Sequence, residues 1–489
     1  MRFAMKYLMW MHVMIIACTL AACGDDAAPK YTVEQLQDPA TCMECHPKHY
    51  QQWSGSMHAY ASEDPVFVAM NRRGQRDTNN KLGDFCVKCH APMAVQLGLT
   101  NGIDFDPAAL PPSAKGITCY FCHNVKEVTS THDNGLVLAM DQTMRGGLEG
   151  ALDNPAHHSK YDVLMDSDRN ESEMCGSCHD IVVPEAINGV PGGVAVERTF
   201  AEWQTTFFAT DKRPGIHLTC GGCHMQTSAV PEVVADFEGV EVRPFGFHEH
   251  MWPGIDQALT PFPEIDAQAA AIKRDLDPSI SIIGPNPAGG GSPEGGICVT
   301  PENGGQITVR LDSVNVGHAF PSGAAQDRRV WVEVIAYDAT NAIIFQSGVV
   351  PDGKDPEDLN DPNLFGLWDR TTKTGGAVAH FFWEIGTIDS QLLRPPVTND
   401  PTDPRADHST TKQYPIVGLQ NTVERITARV RMRALPFAAL DELIASGDLA
   451  PEIRERVPTL DILGTQRVWT RANRNPATGC CNKFDGCRP

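Results

Sequence analysis

The first pattern along the chain is an apolar-rich run from Tyr7 to Ala22, preceded by Arg2 and Lys6 and closed by small residues before Cys23. A basic start, a short apolar stretch and small residues at its end predict an export leader, too short for a spanning helix. No later run is apolar for long enough to cross a bilayer. From about residue 41 to 265 neither a 3.6-residue nor a 2-residue period persists, although a helix is expected near Tyr50 to Met70. The stretch DPSISIIGPNPAGGGSPEGG (Asp277 to Gly296) then reads as a linker. Beyond it the alternation of strands takes over, in QITVRLDSV, RVWVEVIAYD, AIIFQSGVV, VAHFFWEI and VERITARVRMR, with turn residues such as DATN between them. Residues 436–458 return to a helical pattern ahead of the tail CCNKFDGC.

These shifts predict an α+β multidomain chain. Its expected parts are a leader (1–22), a tether (23–40), a mainly α and irregular region (41–265), a linker (266–300), an antiparallel β-sandwich (301–435) and a helical, Cys-rich tail (436–489).

Composition adds charge. Loss of Arg2 and Lys6 with the leader leaves 38 basic residues of 40 against 61 acidic ones, a formal −23. Such a surface repels nucleic acid and suits a basic protein partner met by electrostatic steering; it also serves simply to keep an exported protein soluble.

The 16 cysteines of an exported chain would ordinarily form disulfides, but one pattern dominates their spacing. Cys-x-x-Cys-His occurs at Cys42–Cys45–His46, Cys86–Cys89–His90, Cys119–Cys122–His123, Cys175–Cys178–His179 and Cys220–Cys223–His224. Two thiols two residues apart each add to one vinyl group of a haem, and the next histidine supplies an imidazole to its iron. Zinc sites or a dithiol would not put a histidine after every pair. Five covalently bound haems c are therefore expected, with those ten cysteines as thioethers and His46, His90, His123, His179 and His224 as proximal ligands. At this density the porphyrins supply most of the buried apolar surface, which accounts for the weak periodicity of 41–265. Apart from Cys18 of the leader and Cys23, four cysteines are left, Cys298, Cys480, Cys481 and Cys487, and two disulfides tying the tail to the region of Cys298 are preferred over a metal site.

Each iron needs a second ligand or stays open. Eleven histidines outside both the motifs and the leader are available, and Met57, Met93 and Met225 are further candidates, although packing is the simpler use of methionine.

At this point several stretches resemble the multihaem cytochrome c family related to the nitrifier tetrahaem electron carrier. They are WSGSMHA, GITCYFCHNV, NPAHHS with CGSCHD, ERTFAEW with TCGGCHM, and HMWPG. NVGHAFPSG, DRRVWVEVIAYDA and HFFWEI are similar to a β-domain appended to many such cytochromes. The resemblance implies distal ligands at His58, His157 (or its neighbour His158), His250 (or His248) and His318. The fifth has no clear claimant: His132 is the candidate, with His217 and His380 as alternatives. Leu20-Ala21-Ala22-Cys23 likewise resembles a bacterial lipoprotein box, which implies lipid on Cys23 and peripheral attachment to a membrane surface.

The expected role is electron transfer between respiratory partners outside the cytoplasm, in the periplasm or at the outer membrane. Mostly bis-histidine ligation favours low potentials, and the resemblance implies that these serve anaerobic or extracellular respiration. The competing expectations are an oxidoreductase acting on a small nitrogen or sulfur compound at one five-coordinate haem, and a filament-forming cytochrome.

Overall fold

The computed structural model describes residues 31–147, 160–164, 168–211, 213, 215–228, 230–237, 240, 242–283, 295–481 and 487–489. The leader, Cys23 and the pair His157 and His158 lie outside the described residues, as does most of the Pro/Gly stretch. Among the described residues no helix is long and apolar enough to cross a membrane.

The motif-bearing part is built from short helices and two-stranded ribbons. The expected helix over Tyr50 to Met70 is three helices, Pro47–Ser54, Met57–Tyr60 and Pro65–Asp77. Gly55 ends the first, the buried Ser56 side chain caps the second, and Asp64 with Pro65 opens the third. Residues 31–40, expected as tether, are structured from Thr32, which caps the helix Val33–Gln37 reciprocally with Gln35; Leu36 of that helix is buried in the core.

The C-terminal part is a sandwich of two five-stranded antiparallel sheets. In one, Gln306–Ser313 is central, flanked by Gly295–Thr300, Thr410–Pro415 and Ile280–Ile282, and Cys480–Cys481 extends its edge. In the other, Arg329–Tyr337 and Arg425–Arg433 pair over their full lengths, with Thr459–Thr470, Ile343–Ser347 and Phe365–Leu367 outside them. Inward residues of both, among them Val309, Leu311, Val332, Val334, Ala428 and Val430, form one core.

Three expectations change. Residues 266–300 are not simply a linker: they hold the helix Ile265–Leu276 and two strands of the sandwich, because Ile280, Ile282, Ile297 and Val299 all point into its core. The tail does not lie outside the sandwich either, since Thr459–Thr470 pairs with Arg425–Arg433. The run Val378 to Ile385 is no strand. Its Phe381 and Trp383 stack 4.8 Å apart, and Phe382–Glu384 is a 3₁₀ turn, packed against Val66 and Ala69 of the helix Pro65–Asp77.

The same apolar cluster takes in Leu440 and Leu443 from the helix Phe437–Ala445, so it joins the two parts of the chain. Arg76 pairs with Asp448 across that seam, Arg198 with Asp369 at 2.7 Å, and Arg328 with Asp256 at 2.7 Å.

Candidate haem-binding cavity

The motifs sit on single helical turns. Val87–His90, Cys119–His123 and Cys220–His224 are such turns, and the fourth motif ends the longer helix Asp168–His179. Helical spacing puts the second cysteine three residues and the histidine four residues beyond the first, on one face. Thr118 and Thr219 cap two of these turns through their hydroxyl oxygens.

All ten motif cysteines and all five motif histidines line one cavity of about 1640 Å³. His49, His58, His248, His250 and His318 line it too, so the two parts of the chain share it. Thiols of different motifs lie beside one another inside, Cys42 by Cys119 and Cys89 by Cys178.

An imidazole nitrogen binds a first-row metal at about 2.0–2.1 Å, so two imidazoles on opposite faces of one iron have ring centres about 6–6.5 Å apart. Three pairs meet that distance. His123 and His250 are 6.3 Å apart and tilted by 11°; His224 and His318, 6.4 Å and 12°; His179 and His58, 6.2 Å and 55°. His49 is closer to its neighbours, 5.5 Å from His46 and 4.8 Å from His250, and packs on Phe247 at 4.1 Å. His90 instead has Phe67 stacked on it at 4.0 Å, and among the described residues no imidazole stands at the two-ligand distance from it.

The second ring nitrogens of six of these histidines are held as ligation requires, whereas Nδ1 of His58 is buried without a hydrogen-bond partner among the described residues. A carbonyl only accepts, so a ring nitrogen bonded to one carries the proton and leaves the other free for metal. Nδ1 donates to the carbonyls of Val234 from His46 (2.8 Å), of Ala61 from His90 (3.2 Å), of Arg145 from His123, and of Pro253 from His224 (3.0 Å). His250 donates to the His248 carbonyl and His318 to that of Ala319, both at 2.8 Å. Burial pushes the imidazoles of His58 and His250 down to about 3 and that of His318 to about 4. All three are neutral at pH 7, the form that ligates a metal.

His318 sits in a loop clamped to the motif-bearing part. Glu202 Oε2 accepts from Ser322 Oγ (2.7 Å) and from the Ala319 amide (3.2 Å), while Thr199 Oγ1 accepts from the Gly323 amide (3.0 Å). Burial drives the Glu202 carboxyl up to about 7.

Other sequence candidates are placed elsewhere. His132 is exposed beside Asp133, His380 pairs with Glu442, and neither they nor His217 line the cavity. Between the rivals His248 and His250, only His250 faces a motif imidazole at the two-ligand distance; His248 is tied through Nδ1 to the Met225 carbonyl at 2.7 Å. Met57 and Met225 border the cavity, whereas Met93 is wholly buried in packing. The four other cysteines form the bridges Cys298–Cys480 and Cys481–Cys487.

A cavity that gathers every Cys-x-x-Cys-His motif, with paired imidazoles across it, fits covalently attached haem. The family model described as "Cytochrome c554 and c-prime" matches residues 41–124, which contain the first three motifs. The fold is similar to the crystal structure of a penta-heme cytochrome c552 from Thermochromatium tepidum. That match has a TM-score of 0.57 and 18% identity, and covers 90% of this chain and 100% of that one. No curated protein matches this chain. The matched stretch, the similar fold and the motifs lining one cavity are together consistent with a chain built to carry covalently bound haem c.

Proposed function

We propose that the protein is an exported electron carrier with five haems c, held to a bacterial membrane on its periplasmic or cell-surface side by lipid on Cys23. Bound haem supplies one-electron chemistry at iron; the chain supplies its ligands, excludes water and sets the charge around it. The observation that carries this reading is the set of three imidazole pairs, 6.2, 6.3 and 6.4 Å apart, inside one cavity. His58, His250 and His318 are then the distal ligands at the fourth, third and fifth motifs. Thiol contacts between the first and third motifs and between the second and fourth favour cofactors close enough to relay electrons. The formal −23 of the leader-free chain favours basic redox partners.

The test is electron paramagnetic resonance of the oxidised protein with haem counted chemically. Five haems per chain and low-spin signals for the three paired sites are expected. His318→Ala should turn one low-spin haem high-spin with all five still attached; an unchanged spectrum overturns the assignment.

His90 favours a second reading, because its imidazole faces Phe67 and no paired imidazole among the described residues. A five-coordinate site there would suit an oxidoreductase acting on a small nitrogen or sulfur compound. A high-spin signal in the unmodified protein that changes on adding nitrite would favour it; an all-low-spin spectrum would remove it.

A further inference from the structure

Four of the five motif imidazoles share one arrangement and the fifth does not. His46, His90, His123 and His224 each place Nδ1 on a neutral backbone carbonyl. His179 places it 3.6 Å from Oε1 of Glu197.

The difference is built into the backbone. The fourth motif runs straight into the strand Asp180–Val183, which pairs antiparallel with Val194–Arg198 so that Ile181 stands opposite Glu197. That register returns the Glu197 carboxylate to His179, two residues before Ile181. Its side chain is only 14% exposed, so water screens the charge weakly. A cation from the sandwich lies nearby: Arg328 Nη2 and Glu197 Oε1 both approach Gly323, each 3.7 Å from where a Cβ would stand, and Glu197 raises the Arg328 guanidinium.

A carboxylate beside Nδ1–H draws on that proton and makes the imidazole a stronger donor through Nε2 than a carbonyl does. Stronger donation and a nearby negative charge both favour ferric over ferrous iron. We propose that Glu197 is a positioning residue that orients His179 and lowers the reduction potential at the fourth motif. The place matters for electron flow. Helix Asp168–His179 packs on the turn Cys220–His224 of the fifth motif, and Cys178 meets Cys89 of the second. An electron passing between those sites through the fourth motif would therefore meet there a step that Glu197 makes less favourable.

The inference rests on His179 and His58 sharing an iron, and the experiment separates the two. In the full haem-loaded protein, His58→Ala first identifies the fourth-motif signal as the low-spin signal it removes. Glu197→Gln and Glu197→Asp are then titrated by spectroelectrochemistry and electron paramagnetic resonance, after haem content is shown to match the parent. Glu197→Gln should raise the midpoint of that one haem and leave the rest in place. Glu197→Asp, which keeps the charge at a longer distance, should raise it less. If His58→Ala removes no low-spin signal, the ligand assignment fails. If it removes one but that haem's midpoint is unmoved by Glu197→Gln, or equally moved by both variants, Glu197 has no electrostatic role. Should Glu197→Gln lose haem, an unmoved midpoint in Glu197→Asp overturns the proposal.

Discussion

A histidine is made into an iron ligand as much by what holds Nδ1 as by what faces Nε2, and in this chain the holders come from distant sequence. His318 is fixed by its own loop, and the loop by Glu202, whose carboxylate accepts from Ser322 and from the Ala319 amide. Glu202→Ala strands two half-buried donors, so it should cost about 1–3 kcal/mol, read from the thermal midpoint of the haem-loaded protein. The pH dependence follows from the raised carboxyl. A folded-state value of about 7 against an ordinary 4.5 means that the folded protein holds the proton longer than the unfolded one. Stability should therefore fall as pH rises between those values, and Glu202→Gln should remove that component of the slope. The five motifs were legible because each is five residues long and local. The distal histidines were not: count and resemblance nominate them, but only folding separates His250 from His248 two residues away. Glu197 had no signal at all, being one acid among 61.

At the level of elements, strands were legible where one face is buried and the other wet. Gln306–Ser313 and Arg425–Arg433 both alternate in this way. Arg329–Tyr337 is buried on nearly every residue because its second face is also covered, with Trp331 donating to the Gly348 carbonyl and Glu333 paired with Arg429. Around the motifs, periodicity failed because the elements are one to three turns long and face a shared cavity rather than a continuous protein core. The aromatic run Val378 to Ile385 misled for another reason: β-propensity reports a half-buried surface, and here that surface belongs to a wedge. Trp383 is 5% exposed, reaches the Asp77 carboxylate through Nε1, and would lie 3.1 Å from a Cβ placed on Gly74. Trp383→Ala should cost about 3–5 kcal/mol in denaturant unfolding, whereas Val378→Ala, at a largely exposed position, should change little.

Across the whole molecule the question is which contact makes the sandwich and the motif-bearing part unfold together. Three kinds are present: ion pairs such as Arg198–Asp369, the imidazole that the sandwich presents at the fifth motif, and the apolar seam of Val66, Ala69, Phe381, Trp383, Leu440 and Leu443. In Arg198–Asp369, whose carboxylate has no exposed surface, the attraction is largely offset by the cost of taking its charges out of water. Each large apolar side chain fully buried in the seam contributes about 1.5–3 kcal/mol, and several are buried together, so the seam dominates. Leu440 and Leu443 have no exposed surface there. Leu443→Ala should cost about 2–5 kcal/mol and loosen the coupling. The check is denaturation followed by the haem Soret band and by tryptophan fluorescence, since several of the tryptophans lie in the sandwich and its wedge. The two probes should give one coincident transition in the parent and in His318→Ala, and should separate in Leu443→Ala. Separation in His318→Ala with coincidence in Leu443→Ala would mean that the iron ligand, not the apolar seam, holds the two parts together.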